Sequence, residues 1–135
     1  MRIMAMTCMA AVAIAAGARQ GGAQEERLVL PSGLEAGLQE VLRQEGAGDG
    51  GPVLRFRYVA PGLDKGAGLA VVSADLEHLC NAHALANAPD AEAEGATIIV
   101  SIGDKPSEFG VPDPDVVQVF EAYTVENGTC IWEVF

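Results

Sequence analysis

The chain has 135 residues, of which 50% are hydrophobic and 20% charged, with 19 acids against 8 bases and a formal charge of -11. This is the composition of one globular domain rather than of a disordered segment, and it leaves no room for two catalytic domains. The acidic balance excludes nucleic acid, whose affinity comes from Lys and Arg neutralising phosphates, and a polybasic membrane-surface role.

Residues 1–23 have the order of a secretory signal peptide: Arg2 in front, an apolar run from Ile3 to Ala16, then small residues. The run is too short to span a bilayer as a helix, which takes about 20 residues, so no stable membrane span is expected after cleavage. Ala16-Gly17-Ala18 and Gly21-Gly22-Ala23 both offer a cleavage site, after Ala18 or after Ala23. Cleavage after Ala23 removes Arg2, Arg19 and no acid, taking the charge from -11 to -13. It also removes Cys8 and leaves Cys80 and Cys130, an even pair in an exported chain, which predicts a disulfide. That bridge closes a loop of about 51 residues and contributes roughly 4 kcal/mol in the chain-entropy model.

In the single domain expected over 24–135, Leu28-Val29-Leu30 is a short apolar piece. Ser32 with Glu35 fits a capping box, and Leu34, Leu38, Val41 and Leu42 recur at helical spacing, so a first helix is expected here. Gly33 and Gly37 weaken it. Gly46 to Pro52 is a glycine-rich loop. Val53 to Val59 alternates, with Leu54, Phe56 and Tyr58 to one side and Arg55 and Arg57 to a wet side, which predicts a strand. The two arginines suit an anion or, more simply, cross-strand partners such as Glu121 or Glu133.

Ser73 caps the main helix, expected over 74–86 and ending before Pro89, with Asp75 in its first turn and Leu76, Leu79, Cys80 and His83 on one face. Residues 89–96 are an acidic, alanine-rich solvated connection, and Thr97 to Ile102 is a buried strand. Gly103 to Asp115 carries three prolines and reads as a long ordered loop.

Asn127-Gly128 between two β-rich runs, 116–126 and 129–135, is a hairpin turn of type I′, a better reading than the glycosylation sequon it also forms with Thr129. A two-residue turn pairs Glu126 with Thr129, Val125 with Cys130, Tyr123 with Trp132 and Glu121 with Val134. One face then carries Val117, Val119, Tyr123, Val125, Cys130, Trp132 and Val134, and the other Phe120, Ala122, Ile131 and Phe135. A Cys80–Cys130 bridge therefore pins the helix onto the Tyr123/Trp132 face. The predicted architecture is α+β: a small antiparallel sheet ending in this C-terminal hairpin, with one main helix packed on a face. Tyr58, Tyr123 and Trp132 are assigned to the core.

Candidate chemistry is sparse. His78 and His83 are five apart, about 140° around a helix, and do not match the zinc-protease spacing. Asp104, Glu108, Asp113 and Asp115 share one loop and are the weak candidates for calcium, without a calcium-loop spacing. No serine sits in a nucleophile elbow, and no phosphate-cradling or dinucleotide fingerprint is present, so no cofactor is called for.

VLRFRYVAP (53–61), Asp75 with Leu79-Cys80, DKPSEFG (104–110), and FEAY with CIWEVF at the end resemble a family of small exported proteins of unknown function from alphaproteobacteria of the Rhodobacter type. The resemblance covers most of the mature chain and implies localisation and fold rather than activity. The expected role is a periplasmic or secreted, non-enzymatic protein- or ligand-binding module. The alternatives are a small hydrolase-like enzyme using His78 or His83 with a loop carboxylate such as Asp104, and an acidic calcium-binding module.

Overall fold

The computed structural model describes residues 26–46, 50–88, 91 and 95–133. Six strands form one sheet in sequence order: β1 (Leu28–Val29), β2 (Glu35–Gln44), β3 (Val53–Val59), β4 (Thr97–Gly103), β5 (Gln118–Glu126) and β6 (Thr129–Trp132). All neighbours are antiparallel except β3 and β4, which run parallel. The expected all-antiparallel sheet is thus corrected to a mixed one. The reason is the segment between the two strands. Parallel strands need a long crossover, and the helix supplies it.

That helix, α1 (Leu69–Leu79), continues into a π turn at Cys80–Ala84 and a short 3-10 turn at Leu85–Asn87. It begins five residues before the expected 74, with Gly68 at its cap and no side-chain cap bond. Ser73 does not cap it; its hydroxyl donates to Glu121 Oε1 at 2.7 Å. Asp75 is buried rather than placed at a solvated helix start. Its carboxylate accepts from the Ser32 backbone N–H at 3.0 Å and from the Ser32 hydroxyl. The Ser32 hydroxyl accepts the Leu34 N–H at 3.3 Å, and Glu35 opens a strand rather than a helix, so the capping box does not form.

The helix expected after Ser32 is the strand β2. Gly33 holds φ at +93°, outside helical space, and closes a turn in which its own N–H donates to the Leu30 carbonyl. Part of the helix-like spacing of Leu34, Leu38, Val41 and Leu42 comes from a β-bulge, which puts Leu38 and Val41, three apart, on one face, while Leu42 lies on the other. Leu38 pairs with Tyr58 and Glu40 with Arg57, and Gln39 is the inserted residue. Without the bulge Leu38 and Glu40 would share a face; with it they lie on opposite faces.

On one face of the sheet, Leu54, Phe56, Tyr58, Ile98, Val100, Ile102 and Tyr123 pack under Val72, Leu76, Leu79 and Cys80, all buried. This is the helix face anticipated from Leu76, Leu79 and Cys80. The Cys80–Cys130 disulfide closes its far edge, with Cα atoms 6.2 Å apart, inside the span a bridge requires. The Asn81 side-chain oxygen accepts the Cys130 N–H beside it at 2.9 Å.

The hairpin register agrees over the described residues: Glu126 with Thr129, Val125 with Cys130 and Tyr123 with Trp132. Asn127 and Gly128 have φ of 52° and 73°, as a type I′ turn needs. The fourth pair involves Val134, and Val134 and Phe135 lie outside the described residues. So does the signal segment. Trp132 is a correction: it is 57% exposed, because β6 is an edge strand with nothing among the described residues packed beyond it. Of the acidic connection, Ala91 and Ala96 are buried rather than solvated; residues 89–90 and 92–94 lie outside the described residues.

Candidate functional site

The second face of the sheet carries no helix. Over it lies the 104–117 loop, which has no regular structure, as its prolines predict. Its two ends are tied together: Asp104 N–H donates to the Val117 carbonyl, and Val117 N–H donates to Asp104 Oδ1, each at 3.0 Å. Its middle is pinned at Ser107. The Ser107 carbonyl accepts from Gln39 Nε2 at 2.9 Å and Arg57 Nη1 at 3.1 Å, and the Ser107 hydroxyl lies 3.0 Å from Arg57 Nη2. Arg57 also pairs with Glu40 at 3.2 Å. Its side chain is only 6% exposed, so the wet face expected for it is in fact roofed. The bulge in β2 is what makes this clamp, by aiming Glu40 at Arg57 and freeing Gln39 to reach the loop.

The predicted partners Glu121 and Glu133 are engaged elsewhere. Glu121 is on the helix face, accepting from Ser73 and from the Tyr123 hydroxyl at 3.0 Å. Glu133 accepts from the Thr124 hydroxyl at 2.8 Å. Burial, the hydrogen bond to Glu121 and the charge of Glu121 and Glu77 all push the Tyr123 hydroxyl above its ordinary range. It therefore stays protonated and donates.

Between loop and sheet a cleft of about 300 Å³ remains open. Two rungs of the sheet make its floor: Arg57, Ser101 and Phe120 in register, and Arg55, Ile99 and Ala122 in register. The Phe109 ring stands over both guanidinium groups, 5.1 Å from Arg55 and 5.6 Å from Arg57, a cation–π arrangement. Phe109, Val111 and Phe120 are 41%, 53% and 67% exposed, which makes an apolar patch at the mouth. Arg55 donates from Nε to Gln44 Oε1 at 2.9 Å. Apolar walls with a few converging polar groups are the usual make-up of a small-ligand site.

A second, wider hollow of about 800 Å³ lies at the opposite edge, lined by Glu26 and Arg27 ahead of β1, by β2, and by His83 of the π turn. His83 faces it. Its Nδ1 is 2.8 Å from the Tyr58 hydroxyl and its Nε2 is 3.7 Å from Glu26 Oε2. Burial, with Glu26 adding to it, pushes the Tyr58 hydroxyl above its ordinary range. The protonated phenol thus holds one ring nitrogen of His83 and leaves the other facing Glu26.

A model of a family of unknown function, DUF6497, matches residues 8–135. The chain belongs to this family. No curated protein and no solved structure matches it significantly. The geometry of this DUF6497 domain therefore carries the functional argument alone.

Of the residues singled out from the sequence, the DUF6497 fold brings Cys80 and Cys130 together. It does not bring His83 to Asp104: Asp104 is held by Val117, and the carboxylate beside His83 is Glu26. His78 is exposed on the outer side of α1. Asp113 accepts the Asp115 N–H at 3.0 Å, and Glu108 is exposed. Among the described residues no three His, Cys, Asp or Glu side chains converge as a metal site requires. No helix among them is long and apolar enough to cross a membrane. Sequence reasoning passed over Phe109, Ser101 and the Glu40–Arg57–Ser107 clamp. The period-2 pattern of β3 was signal enough for its two arginines, but the unbroken apolar run of β4 hid the face of Ser101, and nothing in the sequence placed the loop on top of it.

Proposed function

We propose that this chain is an exported, periplasmic or secreted, non-enzymatic binding module, and that the cleft between the 104–117 loop and the second sheet face takes its ligand. The carrying observation is the cleft itself: a ligand-sized opening with a mixed apolar and charged lining, whose roof is clamped at Ser107 by a buried arginine. A loop held this firmly gives a pre-formed site, which lowers the ordering cost of binding. The signal-like residues 1–23 and a disulfide, which persists in oxidising compartments, support the export half of the reading.

Native mass spectrometry of the domain purified from periplasm or medium tests the binding half. A small-molecule adduct that is released on denaturation, and missing from the Phe109→Ala, Phe120→Ser double variant, is the expected result. A bare protein mass for wild type and variant alike would overturn it.

The row Tyr58, His83 and Glu26 at the mouth of the wider hollow is the one observation that favours a hydrolase-like enzyme instead. A histidine held by a protonated phenol and facing a carboxylate has the elements of a general base.

A further inference from the structure

The floor of the cleft holds a polar group with nothing to bond. Ser101 is only 7% exposed, and its hydroxyl has no hydrogen-bond partner among the described residues. Strand alternation sends Ile98, Val100 and Ile102 to the helix face and Ser101 to the cleft, which it lines. Buried hydroxyls are nearly always paired, and one left over in a cavity floor calls for a bound molecule.

Charge narrows the class. The two floor cations are not alike: Arg57 is neutralised by Glu40, whereas Arg55 is bonded to the uncharged amide of Gln44. One cation is thus uncompensated by a carboxylate on the floor, with the Phe109 ring over it and Phe120 at the other side of Ser101. Glu108 and Asp113 stand in the loop wall and repel a multiply charged anion such as a phosphate ester more strongly than a singly charged one.

We propose that the cleft takes a small aromatic or branched apolar monocarboxylate. Its carboxylate meets the Arg55 guanidinium, the Ser101 hydroxyl donates to it, and its apolar body lies between Phe109 and Phe120. This rests on the reading of the cleft as the binding site and adds the chemistry of what fills it. The volume of about 300 Å³ admits a single ring with a short acid chain.

The disulfide-intact mature domain is titrated with phenylacetate and, separately, with the neutral phenylacetamide, followed by amide NMR. Phenylacetate is expected to shift the amides of Ser101, Phe109 and Phe120 saturably. Phenylacetamide, and phenylacetate on Arg55→Gln, are expected to bind about tenfold more weakly, the loss of one charge-assisted contact. Ser101→Ala is expected to weaken phenylacetate several-fold while leaving the empty domain's melting temperature equal or higher, since it removes an unpaired buried hydroxyl. A role of Ser101 in packing alone would lower the melting temperature and leave binding unchanged. Equal binding of acid and amide overturns the assignment, as does the absence of shifts at those three amides through the millimolar range. If those shifts are absent while an adduct still occupies the cleft in native mass spectra, the ligand class falls and the binding role stands.

Discussion

Replacing both Cys80 and Cys130 by alanine lowers the stability of the domain by about 4 kcal/mol in the chain-entropy model. The bridge spans 50 residues of sequence, so most of its effect lies in restricting the unfolded chain. It also holds the edge strand β6, which has only four residues and one neighbouring strand, against the π turn of the helix. Both sulfurs are buried, so the alanines leave small voids that add to the loss. For a domain of this size the melting temperature is expected to fall by roughly 15–30 °C. Thermal unfolding of the double variant, and of wild type with and without reductant, measures this. A drop of under about 1 kcal/mol would show that the sheet and helix hold together without the clasp.

The second large effect is expected at Arg57. Arg57→Ala removes the ion pair to Glu40 and two bonds to Ser107, in a site where the arginine is nearly dry. Breaking a buried pair costs about 3–5 kcal/mol; Glu40 keeps a third of its surface in water, which brings the expectation to about 2–3 kcal/mol. The loop loses its clamp except for Gln39, so limited proteolysis should nick the variant within 104–117 long before wild type. Arg55→Ala serves as the control. Arg55 lies on the same strand face, bonded to the exposed Gln44 and with the Phe109 ring over it, and its loss is expected to cost under about 1 kcal/mol and to expose the loop far less than the loss of Arg57. Equal proteolysis of the two variants would show that Arg57 does not hold the roof.

The parts of the fold that were legible in the sequence are those where one local rule decides the outcome. The alternation of Val53 to Val59 sets β3 to the residue, and Asn127-Gly128 sets the hairpin register next to it. Cys80 shared an apolar helix face and Cys130 an apolar strand face, and the disulfide follows from the two. The misread parts are those where tertiary context overrides a local pattern. The bulge at Gln39 puts Leu38 and Val41, three apart, on one face of β2, a spacing that reads as helical. Ser32 and Ser73, each taken as a helix cap, spend their hydroxyls on Asp75 and Glu121, tens of residues away. The parallel pairing of β3 and β4 leaves no mark in either strand; it depends on where the crossover packs. The cleft was half legible: Arg55 and Arg57 could be placed on one face, but Glu40, Ser107 and Phe109 reach them only through the bulge and the loop.

The proposed export underlies both the clasp and the binding role, since a cytosolic chain would keep its thiols reduced. Intact mass spectrometry of fractionated cells tests it most directly. The account predicts a periplasmic or extracellular species beginning at residue 19 or 24, two hydrogens lighter than its reduced form. Recovery of the full 135-residue chain from the cytosol, with its thiols free, would contradict it.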